Sequence, residues 1–418
     1  MGRRPWGSVV KRAGLVAALD LGSTKTCAVI AEGGGGGGAV GKVRILGVGL
    51  AKTSGVRRGV VRNIEETTQS VVRALTIAER MAGVKVPSVF CGIAGEHLRT
   101  QVSSGLASVT GDEIRRTDMD RANESARAVT LGDGYELLHY IPQEYKVDHQ
   151  TGISDPIGMT GMRLEVEMCL VAVQGQAAQN LRRSVQRAGY QVSELVLEPL
   201  AASLAVLTDE EKELGCALVE LGGSSTNVAV FQDGKLRHLA SLPYASSHVT
   251  SDLVQGLSVT HSDAELLKEQ YGVAYTELLE GDEVVELPGT PGQGPRQAKR
   301  ELLSHIIQSR LDEIFGLVHE QVEISGYLGR LPAGIVLTGG GAQLQGVVEL
   351  GREVFAMPIR IGAPGQGISG LVDNVQSPRY AVAVGLTLFG LRRREHGNGQ
   401  GPGGKIFGPI KQWLQEFF

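Results

Sequence analysis

The chain has 418 residues, enough for two domains with cores of ordinary size. It is 42% hydrophobic and 21% charged with a net charge of -4, a balance that offers no basic face for general nucleic-acid binding. No apolar run reaches the ~20 residues of a membrane-crossing helix, and Cys27, Cys91, Cys169 and Cys216 stand singly in apolar stretches, which reads as reduced core thiols rather than disulfides or a metal site.

Residues 1–13 form a basic extension with no apolar core of signal-peptide length behind it, so a cytoplasmic protein is expected. Residues 15–31 pair two apolar runs across a turn, as a hairpin does. The glycine run Gly33–Gly38 is a loop, and VRILGVGLA is a strand. Between Asn63 and Gly83 apolar residues recur with helical period; Val71, Val72, Leu75, Ile77 and Ala78 make the apolar face, Asn63 the N-cap and Gly83 the stop. PSVFCGIAG is a further strand. From 101 to 173 the order strand, helix, strands predicts a compact α+β insertion, and the chain then returns to helix, strand, helix. Residues 217–231 repeat the opening hairpin. Helices are predicted over 262–271 and 296–325, on either side of LPGTPGQGPRQ, and AGIVLTGGGAQLQGVVELGREVF predicts a strand, a glycine turn and a helix. Residues 391–404 read as a flexible linker. The chain is thus two related halves, each opening on the same hairpin.

Both hairpins carry an acid at the end of the first strand, Asp20 in ALDLGSTKT and Glu220 in VELGGSSTN. The turn that follows leaves backbone N–H groups without ladder partners, and glycine with flanking hydroxyls lets them converge on phosphate oxygens. A carboxylate there suits Mg²⁺, which dehydrates reluctantly and is commonly held through water. Two facing hairpins would grip a triphosphate between Gly22, Ser23, Thr24 and Lys25 on one side and Gly222, Gly223, Ser224 and Ser225 on the other. Either hairpin alone reads as an ordinary turn. The third element changes this: in GIVLTGGGAQLQGV a strand runs into Gly339, Gly340 and Gly341, whose bare backbone can lie against a base and ribose. The pattern is neither GxxxxGK[ST] nor GxGxxG, so the P-loop and Rossmann readings fall away.

The order of ALDLGSTKT, LEPLAASLAVL, VELGGSSTNVAVF, GIVLTGGGA and YAVAVGL resembles the phosphate 1, connect 1, phosphate 2, adenosine and connect 2 segments of the actin, heat-shock-70 and sugar-kinase superfamily. Within it the chain is most similar to the FtsA family of bacterial cell-division proteins. LLHYIPQEYKVDHQTGISDPIGMTGMRLEVEMCLVAV is like that family's inserted subdomain 1C, and SLPYASSHVTSDL like the beginning of its subdomain 2B. The resemblance runs from about residue 14 to 390 and takes in the C-terminal segment. It implies an α/β, actin-like (ribonuclease-H-like) two-lobed ATPase fold. Subdomain 1A would span 14–100 and 174–216, the α+β insertion 1C 101–173, 2A 217–245 and 318–390, and 2B 246–317.

The resemblance further implies ATP and Mg as ligands. Asp20 would sit over the metal, Glu198 would help hold its waters, and Glu220 takes the place of an Asp in the second motif. Glu265 and Lys268 would flank adenine and ribose, with Gly339–Gly341 under the nucleoside. In that motif this chain also has Ser224 for the third glycine, Ser225 for the first Thr and Asn227 for the final Asp. Glu220 reaches one methylene further than Asp, and a misplacement on the order of 1 Å can cost about a hundredfold in rate. ATP binding with slow or absent hydrolysis is therefore expected.

In KIFGPIKQWLQEFF the residues Ile406, Phe407, Ile410, Trp413, Leu414, Phe417 and Phe418 recur on one helical face, with Lys405, Lys411 and Gln412 on the other. Over 405–418 this reads as an amphipathic helix lying in a lipid interface, and Arg392–Arg394 would add attraction to anionic headgroups. The family resemblance implies the same, and with it a peripheral protein at the division site on the cytoplasmic face of the inner membrane. It also implies self-association into actin-like polymers, docking of the FtsZ C-terminal peptide on 2B with Arg310 as a basic contact, and later division proteins bound through 1C. The alternative is a small-molecule kinase on the same clasp, but no acid beyond Asp20, Glu198 and Glu220 is placed as its general base. A heat-shock-70-like chaperone would need a substrate domain after the clasp, where only a linker and one helix are expected.

Overall fold

The structure, a computed structural model, describes residues 14–33, 43–289 and 294–397. The basic extension, the glycine run beyond Gly33, residues 398–404 of the expected linker and the amphipathic segment 405–418 lie outside the described residues.

The first hairpin is β1 (Leu15–Leu21) and β2 (Lys25–Gly33), to which β3 (Val43–Lys52) adds antiparallel. A small hairpin of β4 (Val56–Arg57) and β5 (Val60–Val61) precedes α1 (Ile64–Ala82), and β6 (Ser88–Ile93) then runs parallel to β1. The insertion comprises β7 (Leu98–Ser108), α2 (Arg116–Arg127), β8 (Tyr135–Val147), β9 (Gln150–Ile153) and β10 (Arg163–Gln174). Its antiparallel sheet has the order β7-β10-β8-β9, with α2 packed on β7 and β10. Its first strand begins at Leu98, ahead of the expected residue 101. After α3 (Gly175–Arg187), β11 (Gln191–Leu197) returns to lie parallel to β6, and α4 (Glu198–Val206) and α5 (Asp209–Leu214) lead to the second lobe.

There β12 (Cys216–Leu221), β13 (Thr226–Gln232) and β14 (Lys235–Leu242) are followed by α6 (Ser246–Leu257), α7 (His261–Tyr271), β15 (Val284–Leu287) and β16 (Arg296–Lys299). Then come α8 (Arg300–Ile324), β17 (Ile335–Thr338), α9 (Val347–Phe355) and β18 (Ile359–Ile361). Finally β19 (Ile368–Gly370) crosses back to the edge of the first sheet beside β3, and α10 (Ala381–Gly397) follows. From the third strand of each lobe inward, the sheets read β3-β2-β1-β6-β11 and β14-β13-β12-β17-β18, with the same strand directions at every step. The repeat expected from the two hairpins is therefore a repeat of whole sheets.

Strand period places the core. In β1, Leu15, Ala17, Leu19 and Leu21 pack with Val71, Leu75 and Ala78 of α1, whereas Val16 and Ala18 join α4 and α10. In β12, Ala217, Val219 and Leu221 pack with α6 and α8, whereas Cys216 and Leu218 join the α4 and α10 cluster. Covered on both faces, β1 and β12 are buried along their whole length. The helices α4 and α10 thus form the shared layer between the lobes. They cross backbone to backbone: a Cβ on Gly385 would lie 1.8 Å from the Ala201 carbonyl oxygen.

Asn63 caps α1 by accepting the Glu66 N–H at 3.2 Å, and Gly83 closes it at φ 67°. The apolar face is narrower than expected, since Val72 and Ile77 are 39% and 41% exposed and Ala74 takes their place in the core. Residues 296–299 are strand rather than helix, because they pair with β15 before α8 begins. The expected linker does not begin at 391. The helix α10 continues through Gly397, with Leu391 buried, Arg393 bound to Glu194 at 3.2 Å and Arg394 donating to the Leu15 carbonyl. Arg393 and Arg394 are therefore bonded to the folded body. All four cysteines are buried thiols, as expected.

Gly385→Ala forces the α4–α10 crossing apart and should cost about 3 kcal/mol, the upper end of overpacking penalties. Thermal unfolding checks this; a variant that melts with the wild type would mean that the crossing tolerates a side chain.

Candidate functional site

The parity that buries the odd residues of β1 and β12 under α1, α6 and α8 turns Asp20 and Glu220 to the other side, where the lobes meet. Both acids stand one residue from the strand end, with Asp20 opposite Cys27 and Glu220 opposite Asn227. That difference decides their partners. Asp20 accepts the Lys25 ammonium at 2.6 Å. Glu220 accepts the Asn227 side-chain N–H at 3.0 Å, while Asn227 Oδ1 accepts the Ser241 hydroxyl at 2.8 Å.

Glu198 opens α4 and completes the group. Burial first, then the charges of Glu220 and Asp20, push its carboxyl well above the usual range. Burial likewise lifts Glu220 to about 7, against the Asn227 hydrogen bond and with help from Asp20. For Lys25, burial would lower the ammonium, but Asp20, with smaller help from Cys27 and Glu220, outweighs it and holds the charge in place.

Ahead of these acids the two glycine turns touch. The hydroxyls of Ser23 and Ser224 share a hydrogen bond of 2.5 Å, and Ser224 Oγ also accepts the Arg58 backbone N–H at 2.9 Å. Among the described residues, no protein acceptor takes the backbone N–H of Ser23, Thr24, Gly223 or Ser224. The second turn is braced from behind by α6, whose Ser246 and Ser247 N–H groups bond the Gly222 and Gly223 carbonyls at 3.2 and 2.8 Å.

The parallel register of β12 and β17 sets Glu220 beside Thr338, so Gly339–Gly341 leave the sheet at the same end as the second turn. Gly339 has φ 86°, and a Cβ on Gly341 would fall 2.4 Å from Leu221 Cγ and 2.5 Å from Ser246 Oγ. That Ser246 hydroxyl is buried without a partner. On α7, Lys268 donates to both Glu265 oxygens at 2.8 Å and to Thr250 at 2.9 Å, and Thr250 donates to Glu265 at 2.5 Å. Burial would raise the Glu265 carboxyl, but Lys268 outweighs it and holds it below the usual range. The structure thus brings together Asp20, Glu198, Glu220, both turns, Gly339–Gly341 and the Glu265–Lys268 pair. Arg310 stands apart on α8, bound to Asp252 at 2.5 and 3.1 Å and to Glu313.

This donor set is hard oxygen and mostly anionic, with one lysine among three carboxyls. Among the described residues no group of three closes on a single ligating point. A divalent cation held through water by Asp20 and Glu220 fits that arrangement, and free N–H groups with an orphaned hydroxyl fit phosphate and sugar oxygens. Ser246, Thr250 and Arg58 went unassigned in the sequence reading. Thr250 follows Ser246 by one helical turn in SSHVT, a legible signal; Arg58 had none, because it acts through its backbone.

Residues 217–385 match the family described as cell division protein FtsA, and residues 95–172 match the SHS2 domain inserted in FtsA. The cell division protein FtsA of Pseudomonas aeruginosa is 36% identical over 414 residues, covering 97% of this chain and 98% of that one. That of Escherichia coli strain K12 is 35% identical over 412 residues, 96% of each. Among solved structures, the PilM-PilN type IV pilus biogenesis complex is 16% identical with a TM-score of 0.66, over 90% of this chain and 98% of that one. MreB5 of Spiroplasma citri bound to ADP is 14% identical with a TM-score of 0.57, over 93% and 99%. The fold is the actin-like one, with the inserted domain in the expected place.

Glu220 binds its proton more tightly in the folded chain, near 7, than at the ordinary 4.5. Its protonation therefore stabilises the fold fully below about 4.5, and that contribution is lost as pH rises towards 7. Glu220→Gln should gain in melting temperature on the wild type across this window. A difference that stays constant with pH would show that the carboxyl is not raised.

Proposed function

Because the chain belongs to the FtsA family of cell-division proteins, we propose that it binds Mg-ATP between its lobes, polymerises in the actin manner and anchors FtsZ to the cytoplasmic membrane. The observation that carries the nucleotide part is the meeting of the two glycine turns, with their free N–H groups, in front of buried Asp20, Glu198 and Glu220. The phosphates would take those N–H groups and Lys25, and the nucleoside would lie on Gly339–Gly341 with the ribose near Ser246 and the Glu265–Lys268 pair. Magnesium, when bound, would supply positive charge beside Asp20 and Glu220, favouring the charged carboxylates that burial first, and mutual repulsion second, disfavour at Glu198 and Glu220. The two MreB5 structures of similar fold are described as bound to ADP and to AMPPNP, which supports the same ligand class here.

Turnover is expected to be slow. Glu220 accepts the Asn227 side-chain N–H with one carboxylate oxygen, which fixes a side chain one methylene longer than the Asp of the family motif and so displaces its carboxylate. Electrostatic binding tolerates that displacement; in-line attack does not. Purified protein turning over several ATP per second would overturn this expectation.

Membrane attachment rests on the amphipathic spacing of 405–418 and on the family. Each further tail on a polymer binds intramolecularly, so assembly driven by ATP makes a modest anchor durable. Flotation on anionic liposomes of the full chain and of a form ending at Gly404, with and without Mg-ATP, tests the whole reading. Flotation by the full chain alone, enhanced by Mg-ATP, is expected; two forms that both stay in solution would remove the membrane role.

For the FtsZ peptide, Arg310 is proposed as a contact on 2B. Since it already binds Asp252 and Glu313, the clean variant is Arg310→Ala with Asp252→Ala, which leaves no carboxylate of that bidentate pair behind. Loss of peptide binding with an unchanged melting temperature supports the assignment, and unchanged binding removes it.

A further inference from the structure

We propose that strand β8 of the inserted domain is a positioning element of the nucleotide site, fixing Glu198 of the first lobe through His139 and the Glu220–Asn227 pair of the second through Gln143. The inference deepens the nucleotide reading above and rests on it.

β8 runs antiparallel to β10, but its register slips twice. Leu137 and His139 face the consecutive residues Ala172 and Val171, and Pro142 and Glu144 face Met168 and Glu167. Leu138 and Gln143 are therefore extra residues with no partner on β10. Bulges of this kind bend a strand and re-aim the groups around them, and each of these two stands at a contact that leaves the inserted domain. Beside the first, the buried His139 accepts the Leu197 N–H on Nε2 at 3.0 Å. Leu197 precedes Glu198 and is the N-cap of α4, a helix that has no side-chain cap. At the second, the buried Gln143 accepts the Lys235 ammonium on its backbone carbonyl at 2.6 Å and an Arg237 N–H on Oε1 at 3.4 Å.

Lys235 and Arg237 lie on β14, the strand that also carries Ser241. The Ser241 hydroxyl donates to Asn227 Oδ1 at 2.8 Å, and Asn227 in turn donates to Glu220 at 3.0 Å. One strand of the insertion thus reaches the supports of two acids that belong to different lobes. Between those supports is a cavity of about 240 Å³, with Leu197 and Pro199 in one wall and Asn227, Leu239 and Ser241 in another. Across that gap β8 supplies the bracing. Without its acceptor on His139, the Leu197 N–H is left buried and unpaired, and the start of α4 has to move to find another. Groups that orient a carboxylate beside a metal, without touching the metal, typically change its affinity about ten- to a hundredfold.

Displacement of a fluorescent ATP analogue by ATP, over a Mg²⁺ titration of the full chain, reads the positioning. His139→Leu and Lys235→Met should each raise the Mg²⁺ concentration at half-effect about tenfold. His139→Gln restores an acceptor and should stay within about threefold of the wild type. Because both contacts act through one strand, the double variant His139→Leu with Lys235→Met should lose less than the product of the two single losses. Melting temperatures are taken in parallel, since a merely structural role lowers them and leaves the Mg²⁺ titration where it was; that result overturns the proposal. A double variant equal to the product of the singles overturns it too, because the contacts would then be independent. If His139→Leu fails to fold, an unshifted titration in Lys235→Met is decisive on its own. A wild-type chain that binds no ATP at any Mg²⁺ concentration fails the nucleotide reading beneath, and the positioning with it.

Discussion

Three carboxyls face one another across the seam between two lobes, with the Lys25 ammonium among them. Nothing in an apolar core favours that arrangement; isolated buried charge is costly, and burial raises Glu198 and Glu220 above their ordinary range. It persists because the elements that carry the acids are each fixed for other reasons. Asp20 and Glu220 stand one residue from the ends of strands buried on both faces, and Glu198 opens a helix wedged between the lobes. The fold holds the electrostatic strain, and a bound cation is what would relieve it.

The shared α4–α10 layer makes the two lobes one device. It packs on the inward residues of both first strands, so any rotation of one sheet against the other is felt at the acids and at the touching turns. The insertion joins the same layer: the Leu197 N–H, next to Glu198, is accepted by His139 Nε2 of β8 at 3.0 Å. Burial holds that imidazole neutral, with its titration pushed down to about 4, so the acceptor nitrogen stays free of a proton. The inserted domain is therefore bonded to the backbone that presents Glu198 rather than merely attached to the first lobe.

The doubled hairpin and the glycine strand-turn were legible in the sequence because each is local, an apolar run followed by glycines, whereas the insertion was legible from the order of its strands and helix and from its family resemblance. The cap and stop of α1 were legible for the same reason. Errors came where tertiary pairing overrides local pattern. Residues 296–299 have helical character but complete a strand pair with β15, and 391–397 have linker composition but continue α10 because Leu391 and Arg393 find partners on the first lobe.

Sequence alone determined that Asp20 and Glu220 each stand near the end of a hairpin strand, ahead of a glycine turn rich in hydroxyls, because that pattern is local. Only the tertiary structure decided how those groups are partnered. Cross-strand register gave Glu220 an Asn227 and left Asp20 to Lys25, the approach of the lobes brought Ser23 onto Ser224, and a left-handed Arg58 turned its backbone N–H to the same hydroxyl. The hairpin pairs are local, but the Ser23–Ser224 and Arg58–Ser224 bonds join residues 201 and 166 positions apart, and they depend on packing that no local run of residues encodes.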